Sequence, residues 1–391
     1  MQLTWRWYGP KDKVTLRDAR QAGATGIVSA LHHLPPGELW SIAEIERHKA
    51  LIEAAGMTWS VVESVNVSED IKKRSGAWQR HIANYQQSLR NLGACGIRTV
   101  CYNFMPVIDW MRTDLAYELA DGAQAMRFDA DVFAAFDLYV LERPAAKNEW
   151  SEERQRSARA RFENMAPGER ERMMGVILAG LPGSDEPFTI EYVRRALAEY
   201  DGCGEAMLRE NYGEFLRAVC PVAEEAGVRL CVHPDDPPRP LLGLPRIVSK
   251  AGDFEALLKL NSSPANGITF CTGSLGVRAD NDLPAMARRF GPRIYFAHPR
   301  TTQREADPES FHEAPHLEGD VDIFAVMKEL VLEEHRRKAE GRNDEIPIRA
   351  DHGNRIISDL EKPSVPGYPA VGRLKGLAEL RGILTALERM L

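Results

Sequence analysis

No stretch of this 391-residue chain stays apolar for the roughly 20 residues that a membrane-spanning helix needs, so the sequence predicts no transmembrane segment and no membrane partner. Its start, MQLTWRWYGPKDK, lacks both an apolar core and a small-residue cleavage site, which predicts no secretory leader. None of the six cysteines (Cys95, Cys101, Cys203, Cys220, Cys231, Cys271) stands in a CxxC pair, and Cys101 and Cys231 lie inside apolar runs. The expectation is reduced thiols in a cytoplasmic protein rather than a disulfide framework. Positive charge is in deficit: 50 Lys and Arg against 57 Asp and Glu leave a net charge of -7, which gives no reason to expect nucleic acid as a partner. Phosphate and nucleophile motifs are missing too. There is no GxGxxG after a strand, no GxxxxGK followed by Ser or Thr, no GxSxG and no HExxH, which argues against nicotinamide, nucleotide and serine-hydrolase chemistry. No internal repeat or low-complexity tract is present.

What is there is alternation. Hydrophobic residues make up 44% of the chain, enough for a full core. Eight short apolar runs read as strands. Four are Leu3–Tyr8, Gly26–Leu31, Thr58–Val62 and Arg98–Tyr102, and four are Arg229–His233, Gly267–Cys271, Ile294–His298 and Ile346–Asp351. Helical patterns lie between most of them, at Leu16–Ala22, Ser41–Ala55, Ala77–Leu92, Tyr212–Ala226, Leu283–Phe290 and Val321–Ala339. Several end in a Gly suited to a helix C-cap, as in Ala55-Gly56 and Ala226-Gly227. Strict β/α alternation predicts a single (β/α)8 TIM barrel spanning 1–391, in preference to an open doubly wound sheet. The fourth and fifth strands are far apart. Between them, 106–205 reads as a mostly helical insertion, with helical patterns at Ala120–Leu141 and Trp150–Met174. It would cover the barrel mouth or pack on a second subunit. The loop Ala179–Phe188 would separate it from a helix starting near Thr189.

The last four runs each end in a metal-ligand type: His233, Cys271, His298 and Asp351. A single Cys after a strand is usually a small buried hydrophobe, and a single His is usually a hydrogen-bonded structural residue. Four such residues at one position on successive strands are hard to attribute to packing. At the C-terminal rim of a parallel barrel they would meet around one divalent cation.

Other candidates cluster at the same rim. Arg349, Asp351, His352, Gly353 and Asn354 lie almost in a row. Strand neighbours point to opposite sides, so a turn at Gly353 would fold His352 over the rim as an acid/base beside the ligand Asp351. Pro363–Leu374 reads as a rigid Pro-Gly loop around Tyr368, whose pKa a nearby cation can lower. Arg300 is placed to pair a substrate carboxylate bidentately. His312 and His316 are spaced i, i+4, but Pro315 breaks that helix, so both are expected as loop residues lining the mouth. Arg6, His32, His33, Glu63 and Asn103 follow or end the early strands and are candidates for holding sugar hydroxyls, with Arg6 and Asn103 favoured as substrate-binding residues.

With these residues in hand, the chain resembles the D-mannonate dehydratases, barrel enzymes related to the xylose isomerases. The resemblance runs nearly end to end: TWRWYG (Thr4–Gly9), AGATGIVSALHHLPPGELW (Ala22–Trp40), FCTGSLG (Phe270–Gly276), FHEAPHLEGD (Phe311–Asp320), RADHG (Arg349–Gly353) and GYPAVGRLKGLAELRG (Gly367–Gly382). It implies that His233, Cys271, His298 and Asp351 hold one manganese or ferrous ion. It implies dehydration of D-mannonate to 2-keto-3-deoxy-D-gluconate in hexuronate breakdown, with His352 and Tyr368 as the acid/base pair. Thiolate and imidazole by themselves would suit zinc equally. The expected partners are a small aldonate and further copies of the chain, in a homo-oligomer such as a dimer.

An aldonate's C2 proton is weakly acidic, and the C3 hydroxide needs a proton to leave, so two protein groups must act. The order expected here is Tyr368, as phenolate, taking the C2 proton and His352, as imidazolium, protonating the leaving group, with Arg300 anchoring the carboxylate. The reverse order fits the same residues. Two rival functions are a metal-dependent sugar isomerase or epimerase on the same barrel, and a non-catalytic sugar-acid sensor.

Overall fold

Eight parallel strands close into a barrel in this computed structural model, which describes residues 1–179 and 189–391. In chain order the strands are β1 (Gln2–Arg6), β2 (Gly26–Ser29), β3 (Thr58–Glu63), β4 (Thr99–Tyr102), β5 (Asp114–Glu118) and β6 (Gln124–Phe128). There follow β7 (Arg229–Val232), β8 (Asn266–Cys271), β9 (Ile294–His298), β10 (Thr301–Arg304), β11 (Phe311–Ala314) and β12 (Pro347–Arg349). The barrel order is β1-β12-β9-β8-β7-β4-β3-β2, and β10-β11-β6-β5 form a separate antiparallel sheet. Each of the eight predicted runs contributes a barrel strand. The runs are almost continuously apolar because a parallel strand is buried on both faces, one inside the barrel and one under the helices. Val28, Val61, Cys101, Cys231 and Phe296 fill the barrel interior. All six cysteines are unpaired, and Thr269 donates to the Cys101 sulfur (3.1 Å).

The helices close where their sequence says they should. The Glu205–Ala226 helix stops at Gly227, whose φ of +64° is open to glycine, and runs straight into β7. It packs along the Trp78–Ala94 helix, where Tyr85 meets Phe215 edge-on at 5.1 Å. At that crossing the two backbones nearly touch: a Cβ on Gly93 would lie 2.4 Å from the Ala226 carbonyl oxygen. A Gly93→Ala change would gain about 1 kcal/mol in helix propensity, but neither main-chain atom can give way. We expect a net loss of about 1–2 kcal/mol, measured as a lower urea midpoint; an unchanged or raised midpoint would show that the crossing can relax.

The long connection after β4 differs from the sequence expectation. It contributes two strands as well as helices: Ala120–Leu141 is not one helix, because Gln124–Phe128 pairs with β5 and β11 before a helix begins at Ala130. Asp129 caps that helix by accepting from the backbone N–H groups of Asp131 and Val132. Propensity favours helix here, and the buried ladder of Ala125, Met126 and Phe128 overrides it. Trp150–Met174 splits into Glu152–Glu163 and Glu169–Ala179, since Pro167-Gly168 cannot continue a helix. The predicted Ala179–Phe188 loop lies, from residue 180 onward, outside the described residues. Nor is Pro363–Leu374 loop throughout, as its Pro and Gly content predicts: a long helix, Ala370–Met390, begins inside it. No helix among the described residues is long and apolar enough to cross a membrane.

Candidate metal centre and active site

A one-residue irregularity builds the centre. Between β8 and β9 the register runs Ile268 to Ile294 and then Thr269 to Phe296, so β9 carries one extra residue. That shift sets Cys271 opposite His298. Without it Ala297 would face Cys271 and His298 would turn to the other face, because strand side chains alternate. His233 follows the end of β7, where its N–H donates to the Tyr102 carbonyl (2.6 Å). Asp351 lies two residues beyond β12 with φ at +60°, a left-handed conformation that Asp tolerates better than most residues. The turn therefore occurs at Asp351 itself and not at the predicted Gly353. Gly353 is needed for a different reason: a Cβ there would sit 2.6 Å from the backbone nitrogen of Arg373.

The ligand atoms of His233, Cys271 and His298 all lie within 4.8 Å of one another. The Asp351 Oδ2 atom is 3.8 Å from the Cys271 sulfur and 3.8 Å from His298 Nδ1. A cation with ligand bonds of about 2.0–2.3 Å separates neighbouring tetrahedral ligands by about 3.3–3.8 Å, a spacing that the two Asp351 contacts meet and that the group of three approaches. His298 Nδ1 is buried with no hydrogen-bond partner among the described residues, while Arg349 Nε points at the other ring nitrogen (3.1 Å). Arg349 can only donate, so the neutral ring here carries its hydrogen on Nδ1; a buried ring nitrogen left without a partner beside a thiol and a carboxylate suits a metal site once that hydrogen moves to Nε2 and Arg349 turns from it.

Without an ion the buried groups pair with one another, and a bound cation would take the place of the proton that His233 then carries. Burial opposes charge on both His233 and Cys271. Even so, Arg300 and His233 hold the Cys271 thiol below its ordinary value, and the Cys271 thiolate pushes His233 up to about 9. His298 is driven well below the usual imidazole range by burial and by Arg349, which favours the neutral ring. Asp351 is held well below the usual carboxylate range despite burial, chiefly by Arg349.

A cavity of about 370 Å3 opens over these residues, near the small end of the about 300–1,000 Å3 common for small-molecule sites. Arg6, Asn103, His233, Arg300, His352 and Tyr368 all line it. The rings of His352 and Tyr368 stand perpendicular at 5.1 Å, and the Gly353 N–H donates to the Gly367 carbonyl (2.9 Å), tying their two loops together. Tyr368 hydroxyl lies 3.3 Å from both Asp351 Oδ1 and Arg349 Nη1. Burial pushes that hydroxyl well above its ordinary value, more strongly than Arg349 pulls it down. The protein's own groups thus raise that value, whereas the lowering anticipated from the sequence was ascribed to a bound cation.

Arg300 lines the cavity but is heavily paired. Its guanidinium contacts Asp236 Oδ2 (2.5 Å), Asp351 Oδ2 (2.6 Å) and Glu313, so the edge predicted for a substrate carboxylate is held by the protein's own acids. Arg6 pairs with Glu63 through Nη1 (3.2 Å), yet its buried Nε has no hydrogen-bond partner among the described residues. Asn103 donates to Asp109 Oδ2 (3.2 Å) and accepts from the Met105 N–H. His32 and Glu63 line the cavity as well; His33 instead pairs with Glu44 (3.0 Å) at the surface. His312 and His316 do not line the mouth as expected. His312 lies in β11 against Glu305 (3.2 Å), and buried His316 contacts the Ala350 carbonyl through Nε2 (2.6 Å). The sequence pattern assigns no role to Asp236, Glu313 or Arg112. Asp236 and Glu313 stand in the His-Pro-Asp-Asp turn and the FHEAPH string, but nothing marks Arg112.

Comparison with known proteins points the same way. The family described as D-mannonate dehydratase (UxuA) matches residues 1–391. A mannonate dehydratase from Chromohalobacter salexigens is 56% identical over 390 residues, covering 100% of both chains. One from Marinomonas sp. is 55% identical over 391 residues, again covering 100% of both. The crystal structure of mannonate dehydratase from Streptococcus suis serotype2 superposes with a TM-score of 0.76 at 33% identity, covering 100% of this chain and 94% of the other. With a full-length family match, two full-length relatives and the rim cluster in place, the chain belongs to the D-mannonate dehydratase family.

Proposed function

We propose that the rim cluster is the active site of a metal-dependent hydro-lyase that converts D-mannonate to 2-keto-3-deoxy-D-gluconate, as a step in hexuronate breakdown. The observation that carries this reading is a cluster of His233, Cys271 and His298, with Asp351 beside it, at a cavity that His233, Asp351, His352 and Tyr368 line, in a chain that matches its family from end to end. His233, Cys271, His298 and Asp351 hold one Mn2+ or Fe2+. When bound, the ion supplies positive charge where negative charge develops at the carboxylate end of the aldonate.

The chain's residues do the rest. Loss of water breaks the C2–H and C3–O bonds: one group accepts the C2 proton, and another donates a proton to the departing C3 hydroxyl, which leaves as water. His352 and Tyr368 are those groups, since both border the cavity beside Asp351. The enol formed then becomes the 2-keto acid. Arg6, with its uncommitted Nε, and Asn103 bind the aldonate. Arg300 acts mainly by fixing Asp351, Asp236 and Glu313. The reading includes a cytoplasmic setting, in keeping with six unpaired cysteines, and self-association as a homo-oligomer.

Purified protein reconstituted with Mn2+ should form a 2-keto-3-deoxy acid from D-mannonate. An isomerase or epimerase would conserve the oxygen count of its substrate, and a sensor would bind without turnover. Either of those outcomes, read by mass spectrometry of the products, would replace this function.

A further inference from the structure

Glu313 is a buried carboxylate at the rim with no part in the steps above. It belongs to β11, in the separate antiparallel sheet, and is 3% exposed. Its Oε1 atom accepts from Arg112 Nη2 (2.5 Å) and from Arg300 Nη1, and lies 3.1 Å from His352 Nδ1. Arg112 comes from the connection after β4, where it also pairs with Asp236 Oδ1 (2.7 Å), so two excursions from the barrel meet at this oxygen. Burial opposes the carboxylate, but Arg300 and Arg112 hold it well below the usual range. An ionised carboxylate can only accept. The hydrogen in the contact with His352 must then come from Nδ1, and the neutral ring carries its lone pair on Nε2. That nitrogen lies on the Asp351 side, 3.9 Å from Oδ1.

We propose that Glu313 is a positioning residue for the dehydration: by taking the Nδ1 hydrogen it fixes His352 in the tautomer whose bare Nε2 accepts the C2 proton, which leaves Tyr368 as the proton donor to the C3 hydroxyl. The inference rests on the dehydratase reading for its chemistry, and it reverses the order expected from the sequence. The physical logic is that of any imidazole base oriented by a carboxylate behind it. It also gives the separate sheet a purpose, since β11 carries the acceptor and the connection after β4 supplies a cation that keeps it charged.

Two substitutions separate positioning from charge balance. Glu313→Leu removes the acceptor, and kcat should fall on the order of 10²-fold with KM and metal content unchanged. Glu313→Gln keeps an oxygen for Nδ1 but removes the charge, and should retain kcat within about tenfold of the unsubstituted protein. If the glutamine variant falls as far as the leucine one, Glu313 only balances Arg112 and Arg300, and the proposal is wrong. It is equally wrong if either variant loses metal or changes KM alone. Should the leucine variant fail to fold, 15N spectra of histidine-labelled full-length protein, loaded with Zn2+ as a diamagnetic ion, decide between the two tautomers. The His352 signal, assigned by its loss in His352→Asn, should report a protonated Nδ1 in the unsubstituted protein and in Glu313→Gln; a protonated Nε2 overturns the idea. This spectrum needs no substrate, so absence of turnover on D-mannonate would count against the dehydratase reading and leave the tautomer as a separate result.

Discussion

Turnover of D-mannonate should fall by about 10²–10⁴-fold when His352 is replaced by Asn or Tyr368 by Phe, with the metal still bound. Each substitution removes one proposed proton-transfer group and little else. His352 holds no metal-ligand position, its ring meets Trp110 and Tyr368 edge-on, and Asn keeps a polar group in its place. Tyr368→Phe preserves the ring that packs against Tyr8 at 5.1 Å and deletes only the hydroxyl facing Asp351 and Arg349. Because both reacting bonds need a proton moved, neither group substitutes for the other, and each variant alone should show the loss. The measurement is the rate of 2-keto-3-deoxy acid formation alongside the metal content of the same sample. Near-normal turnover in both variants, with full metal occupancy, would remove His352 and Tyr368 from the mechanism.

Cys271→Ser should abolish stoichiometric metal, and activity with it. The change is nearly isosteric at a fully buried position, so the fold should persist. What it removes is a thiol whose anion Arg300 and His233 favour, leaving a neutral hydroxyl that is a far poorer ligand. Loss of a group that merely orients a ligand costs about 10–100-fold in affinity or activity, so loss of the ligand itself should exceed that range. Elemental analysis after desalting reads the result. Metal retained at one ion per chain in this variant would sink Cys271 as a ligand, and a matching loss in His298→Ala but not in Cys271→Ser would narrow the site to nitrogen and oxygen donors.

The sequence by itself determined the barrel and the identity of its rim. Parallel strands buried on both faces must be continuously apolar, and the candidate ligands stand where each run ends, so the last four strand positions could be read directly, and the structure brings His233, Cys271 and His298 together with Asp351 beside them. Only the tertiary structure decided how those residues face one another. The extra residue in β9 that turns His298 toward Cys271 has no mark in the sequence, because a bulge is set by pairing with a neighbour 26 or 27 residues away rather than by local propensity. The positive φ of Asp351 and the strand at Gln124–Phe128 likewise depend on what packs against them. The charges at the rim followed the same rule. Arg300 looked free as a sequence neighbour of His298, but burial beside Asp236, Glu313 and Asp351 commits it to them, since a guanidinium taken out of water must be paired. Tyr368 likewise stands half-buried rather than in an open loop, and burial pushes its hydroxyl up, because the anion would lose its hydration.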